Sequence, residues 1–172
     1  MCLILHSKVG FDSISKREIK GALAANPDGV GIFWDEGGNA EVYKTEEISY
    51  RSLRAMLRDI GRKECFVHFR FATNSIWGIE GAHPFPVFNS ETESAGYQVW
   101  IAHNGIFSHA PRDVHDTQFF IASTLRPILL RDPFVWRTSA FQDLLTRAIG
   151  GANRLAFLDS SGVGARIGRW YD

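Results

Sequence analysis

The chain has 172 residues, 45% of them hydrophobic and 22% charged, a composition that suits one globular domain with a sizeable core. Lys+Arg and Asp+Glu both total 19, so the formal charge is zero; there is no basic excess for counterion release from nucleic acid and no Lys/Arg cluster for an anionic membrane. Two cysteines, Cys2 and Cys65, are too few for a disulfide framework or a Cys-rich zinc site, and no C-x-x-C or H-E-x-x-H spacing occurs. No apolar run approaches the ~18 residues needed to span a membrane, and the apolar stretch after Met1 is too short for the core of a signal peptide. The chain reads as soluble, reduced and cytoplasmic.

The first predicted element is a short buried strand, Cys2-Leu3-Ile4-Leu5, which would hold the first residues inside the fold. Ser15-x-x-Glu18 has the form of a capping box, and Ile19, Ala22 and Leu23 then share one helical face. Asn26-Pro27-Asp28-Gly29 is a turn, followed by a hairpin in which Val30 to Asp35 and Ala40 to Lys44 flank Glu36-Gly37-Gly38-Asn39. Leu53, Met56, Leu57 and Ile60 recur at helical spacing and read as core packing. Cys65 to Arg70 alternates as a strand does, and Tyr97 to His103 is a second such strand beyond a loop rich in Gly and Pro. The polar run Asn89 to Ser94 reads as an exposed turn. A helix is predicted from Thr117 through Phe120, Ile121 and Leu125, kinked or ended by Pro127. Phe141, Leu144, Leu145 and Ala148 mark another helix, ended by Gly150-Gly151. Leu155 to Asp159 and Ala165 to Tyr171, around Ser160-Ser161-Gly162, close the chain as a hairpin. Grouped strands and grouped helices predict a single α+β domain over 1–172 rather than a doubly wound parallel sheet.

Cys2 follows the initiator Met directly. Removal of Met1 would leave a thiol and a free α-amine on one residue, a nucleophile joined to its own base. Taken alone, Cys2 reads equally as a small buried hydrophobe. Arg70, at the end of an apolar strand, can grip a carboxylate with two parallel N–H bonds, or can be an ordinary surface or ion-paired arginine. Asn104-Gly105 offers a side-chain amide and a backbone N–H to a tetrahedral oxyanion, though the bare dipeptide is also a common turn. Asp116 can cap the following helix, or its carboxylate can hold an ammonium group.

Taken in order, Met1-Cys2, Asn26-Pro27-Asp28-Gly29-Val30-Gly31, His68-x-Arg70-x-Ala72-Thr73, Ala82-His83-Pro84-Phe85, His103-Asn104-Gly105-Ile106 and Asp116-Thr117 resemble the glutaminase domain of class II glutamine amidotransferases. That family is a branch of the N-terminal nucleophile hydrolases. The resemblance implies a four-layer αββα sandwich over the whole chain and no metal or cofactor. It implies Cys2 as nucleophile after loss of Met1, with the α-amine as general base through a water. It further implies Asn104 and the Gly105 N–H at the oxyanion, Arg70 with Thr73 on the glutamine α-carboxylate, and Asp116 on the α-ammonium. His83, His68 and His103 are expected to be structural, and His6, His109 and His115 show no ligand spacing. The products expected are ammonia and, through a γ-glutamyl thioester, glutamate. With the chain ending at Asp172, the ammonia is expected to pass to a separate acceptor enzyme, as in stand-alone phage or bacterial forms. Leu3, Phe71 and Asn74-Ser75 depart from the family pattern and keep two alternatives open. One is a hydrolase of another γ-glutamyl amide; the other is a catalytically silent module that senses glutamine or docks a partner.

Overall fold

The computed structural model describes residues 2–11, 14–72, 78–90 and 95–171. The fold is α+β, with two four-stranded antiparallel sheets. The first contains β1 (Leu3–Ser7), β2 (Val30–Asp35), β3 (Ala40–Thr45) and β4 (Cys65–Phe69) in the order β1-β4-β2-β3. The second contains β5 (Phe85–Pro86), β6 (Val99–Asn104), β7 (Arg154–Asp159) and β8 (Gly164–Gly168), in that order. Helices α1 (Lys16–Ala25) and α2 (Tyr50–Ile60) fall between strands of the first sheet in the chain. Helices α3 (Asp116–Phe120), α4 (Arg126–Leu129) and α5 (Ser139–Ile149) fall between β6 and β7.

Alternation along the strands explains how the layers meet. On β2, Ile32 joins a cluster with Ile19 of α1 and Leu53 and Leu57 of α2, whereas the next residue, Phe33, faces the other way. Phe33 and Phe66 pack with Ile4 against Ala102, Ala156 and Leu158 of the second sheet. The other side of that sheet, through Ile101, Leu155 and Phe157, packs against Ile121, Leu125, Leu129, Leu145 and Ile149. Apolar burial of this kind stabilises by roughly 1.5–3 kcal/mol for each fully buried aliphatic or aromatic side chain. Because both faces of β4 are covered, all five of its residues are buried, and the expected one-sided alternation is absent there.

The predicted capping box is present: Ser15 Oγ accepts from the Glu18 N–H at 3.2 Å, and Glu18 Oε2 accepts from the Ser15 N–H at 2.8 Å. Such caps stabilise a helix by about 1 kcal/mol. Four local expectations need correction. Pro127 does not end its helix, which runs on to Leu129. The preceding turn, Ile121–Leu125, is π-helical, and the Arg126 N–H reaches back five residues to the Ile121 carbonyl. The wider turn avoids the steric conflict that a proline ring makes with the carbonyl four residues back. On α5, the buried stripe is Leu145 and Ile149 with partly buried Phe141, while Leu144 is 65% exposed. Tyr97 lies outside β6, because the Gln98 carboxamide ties to both the N–H and the carbonyl of Phe88 before the ladder begins. The closing strand stops at Gly168 rather than Tyr171. Asn89 and Ser90 are exposed, and the rest of that polar run lies outside the described residues.

The turn between β7 and β8 is held by Asp159, which has no exposed surface. Its carboxylate accepts from the Tyr97 hydroxyl at 2.7 Å, from Arg137 Nε at 2.8 Å and Nη2, and from the N–H groups of Ser161 at 2.9 Å and Val163 at 3.1 Å. Burial and the adjacent Asp159 push the Tyr97 phenol above its ordinary range.

Candidate active site

Antiparallel pairing of β1 with β4 begins at Leu3 opposite Phe69, so the residue before β1 meets the residues that follow β4. Those residues are Cys2 on one side and Arg70 and Phe71 on the other. The Phe71 N–H donates to Cys2 Sγ at 3.4 Å. The C-terminal end of β6 supplies Asn104 and Gly105, and the start of α3 supplies Asp116. Cys2, Arg70, Gly105 and Asp116 thereby line one cavity of about 310 Å³. Asn104 does not line it; it stands one residue away at the strand end, 8% exposed, and its Oδ1 has no hydrogen-bond partner among the described residues. Thr73 lies outside the described residues.

Arg70 is 4% exposed, which sets aside the surface reading of this residue. One of its guanidinium nitrogens, Nη1, donates to the Gly78 carbonyl at 3.0 Å. Asp116 begins α3 but is not its cap; His115 occupies that position, with Nδ1 accepting from the Thr117 N–H at 3.3 Å. The Asp116 carboxylate accepts from the N–H of Thr117 at 2.7 Å and of Phe107 at 2.8 Å. An ionised carboxylate has about four acceptor positions, so these two bonds fix its orientation and leave capacity toward the cavity. Phe71, Ile106 and Val114, respectively 41%, 67% and 39% exposed, give the mouth an apolar rim, and Arg112 also lines it.

At the cavity the fold gathers four histidines that sequence spacing does not connect, of which His83, His103 and His115 line it. The rings of His68 and His83 have centroids 4.3 Å apart, His83 and His115 are 5.3 Å apart, and His83 and His103 are 6.5 Å apart. Gly31 makes this approach possible, since a Cβ there would sit 1.6 Å from the His83 carbonyl oxygen. Burial pushes the His68 imidazole down to about 3 and holds His83 well below its ordinary value. Burial also lowers His103 and His115, against the opposing charge of Asp116. The separations of 3.9 Å from His103 Nδ1 and 3.3 Å from His115 Nδ1 to Asp116 are ion-pair distances only for protonated rings. Burial dominates, so both contacts are dipolar at neutral pH.

Hydrogen-bond accounting assigns the protons. The Asn153 amide is oriented by two backbone groups: Nδ2 donates to the Ile149 carbonyl at 2.7 Å, and Oδ1 accepts from the Ile106 N–H at 2.9 Å. Oδ1 also lies 2.9 Å from His103 Nε2, which must therefore carry the ring proton. Neutral His103 then accepts at Nδ1 from the Thr117 hydroxyl, 2.9 Å away. The Thr117 oxygen in turn accepts from His83 Nε2–H at 3.1 Å. His83 and His103 are thus joined through Thr117, and both line the cavity, whereas Asn153 carries no sequence signal beyond an asparagine after Gly150-Gly151. Among the described residues, no group of three or more His, Cys, Asp or Glu side chains can hold a metal ion, and no helix is long and apolar enough to cross a membrane.

No protein-family model matches the chain, and no curated protein matches it. Among solved structures, it is similar to the glutamine phosphoribosylpyrophosphate amidotransferase of B. subtilis complexed with ADP and GMP. The identity is 17% and the TM-score 0.48, over 94% of this chain and 35% of that one. It is also similar to a glutamine aminotransferase class-II domain protein of Silicibacter pomeroyi, at 20% identity and a TM-score of 0.40, over 84% of this chain and 71% of that one. The chain thus spans about a third of the length of the first neighbour. Activity and substrate do not carry over from either at this distance.

Proposed function

We propose that the chain is a glutamine amidohydrolase domain of the class II amidotransferase type, spanning 1–172, with Cys2 as its nucleophile. The observation that supports this most is the convergence of Cys2, Arg70, Gly105 and Asp116, drawn from four separate segments, on one cavity. A glutamine zwitterion carries opposite charges at one end, and the cavity offers an arginine for the carboxylate and an aspartate for the ammonium. Arg70, with Thr73, would hold the α-carboxylate, and Asp116 the α-ammonium.

In this reading, loss of Met1 frees the Cys2 α-amine, which takes the thiol proton through a water. Sulfur then bonds to the side-chain amide carbon, and the carbonyl electron pair moves to oxygen. The Asn104 amide and the Gly105 N–H would stabilise that oxyanion, an effect of about 10²–10³ in rate per donor in comparable sites. As the oxyanion collapses, the C–N bond breaks, and the amine returns the proton so that ammonia leaves. Water attacks the remaining thioester, releasing glutamate and regenerating the thiol. The ammonia would pass to a separate acceptor enzyme. The three packing clusters support a four-layer αββα sandwich of the N-terminal nucleophile hydrolase kind, with helices outside both sheets.

The test is intact mass of the purified protein before and after a glutamine-analogue electrophile, alongside ammonia release from glutamine. Loss of Met1, a single adduct and ammonia release, all but the first abolished in Cys2→Ala, are expected. Glutamine binding by processed protein with neither adduct nor ammonia would favour the silent sensing module instead.

A further inference from the structure

The outermost donor of the proposed oxyanion site is a backbone N–H, and nothing in a glycine side chain can hold it in place. Gly105 has a φ of +143°, a conformation that glycine adopts and other residues rarely do, so its peptide is fixed by its neighbours alone. One side chain does so. A Cβ built on Gly105 would lie 2.0 Å from Asn153 Oδ1, so that oxygen occupies the space where any other residue would place its side chain. The same oxygen accepts from the N–H of Ile106, the next residue, at 2.9 Å. Asn153 is itself 8% exposed and is anchored through Nδ2 to the end of α5, at the Ile149 carbonyl.

We propose that Asn153 is a positioning residue for the oxyanion donor: by clamping the Gly105–Ile106 peptide and filling the space beside the Gly105 Cα, it fixes the point from which the preceding peptide, Asn104–Gly105, presents its N–H. This rests on the reading of Cys2 and Gly105 given above. Asn153 does not line the cavity and touches no substrate; it acts through Gly105. Its bond to His103 Nε2 ties the same clamp to Thr117, the residue after Asp116, so the oxyanion and ammonium ends of the site share one hydrogen-bonded floor. Three hydrogen bonds, rather than packing alone, hold the clamp. An aspartate keeps the acceptor for Ile106 and His103 but sets an oxygen against the Ile149 carbonyl in place of the donor, whereas an alanine loses all three.

The experiment compares wild-type protein, Asn153→Ala and Asn153→Asp by steady-state hydrolysis of glutamine and by the rate of alkylation with iodoacetamide. Alkylation joins Cys2 sulfur to carbon and expels iodide, with the thiol proton passing to solvent, so it forms no oxyanion and reads the nucleophile alone. For Asn153→Ala the expected result is a kcat lowered roughly 10- to 100-fold, part of what loss of a whole donor costs. KM and the alkylation rate are expected to stay within about twofold, a split that general loosening would not produce. Asn153→Asp, which keeps the acceptor for Ile106 but not the donor to Ile149, is expected to recover part of the lost kcat. Active wild-type protein with unchanged kcat in both variants overturns the positioning role alone, as does a loss of kcat matched by equal loss of alkylation. Folded wild-type protein with Met1 removed that releases no ammonia overturns the hydrolase reading, and the clamp with it.

Discussion

The backbone N–H of Phe71 donates to the sulfur of Cys2 at 3.4 Å, tying the residue before β1 to the residues just past the end of β4. This contact holds a half-buried sulfur at the wall of the cavity. The other cysteine, Cys65, is fully buried in β4, and burial pushes its thiol far above the ordinary range. Thiolate is the reactive form, so Cys65 is held back by access and by ionisation together. Iodoacetamide is therefore expected to add one group to the native protein, at Cys2, with Cys65 reacting only after denaturation. Peptide mapping by mass spectrometry checks this, and labelling of native Cys2→Ala would contradict it.

Arg70 sits 4% exposed beside Cys2, with one guanidinium nitrogen already committed to the Gly78 carbonyl. A lysine keeps the charge but cannot both hold that carbonyl and present a planar pair of donors to a carboxylate. Bonds to charged groups contribute about 1.5–3 kcal/mol, which is roughly 10- to 100-fold in affinity. Arg70→Lys is expected to raise the KM for glutamine by that factor while leaving iodoacetamide labelling of Cys2 intact. Equal KM values in the two proteins would remove Arg70 from the substrate site.

The buried histidines make stability depend on pH with a definite sign. His68 and His83 are neutral in the fold, His68 titrating only at about 3 and His83 well below its usual value, whereas unfolded histidine titrates near ~6.5. Between these limits the unfolded state binds more protons, so stability rises with pH and falls as pH drops below ~6.5. Each such histidine contributes a slope of about 1.4 kcal/mol per pH unit once its unfolded form is protonated. Denaturant midpoints measured at pH 7.5, 6.5, 6.0 and 5.0 are expected to fall slightly between the first two values and then steeply. Replacing His68 by Gln should reduce that slope, and a flat profile in the parent protein would contradict the burial.

Asp159 is wholly buried and accepts from Tyr97, Arg137, Ser161 and Val163 together. Removing its carboxylate strands several donors at once, a loss of about 3–5 kcal/mol for a broken buried pair. For a chain of this size that corresponds to a fall in Tm of roughly 6–20 °C. Calorimetry of Asp159→Ala checks it. Because the network lies at the far end of β6 from Asn104 and Gly105, glutamine hydrolysis by the folded variant is expected to persist.

Local patterns along the chain already contained the parts of this protein. The capping box at Ser15 and Glu18, the hairpin from Val30 and the apolar stripe of Leu53, Leu57 and Ile60 are decided by residues within a turn or two of one another. Motif order also singled out Cys2, Arg70, Gly105 and Asp116, which the fold brings to one cavity. What the chain order could not express is which of its histidines meet, because His68, His83, His103 and His115 are joined only by strand register and by the space that Gly31 leaves open. The same holds for Asn153, an unremarkable turn residue until the pairing of β6 with β7 brings it under Gly105. Helix caps and periodic faces depend on contacts a few residues apart, whereas a buried ring's ionisation and a peptide's orientation depend on whatever long-range packing places beside them. For that reason Pro127 does not stop its helix, and of the readings open for Arg70 the surface one falls away: in each case a contact distant in sequence, or a neighbouring turn that widened, outweighed the local preference.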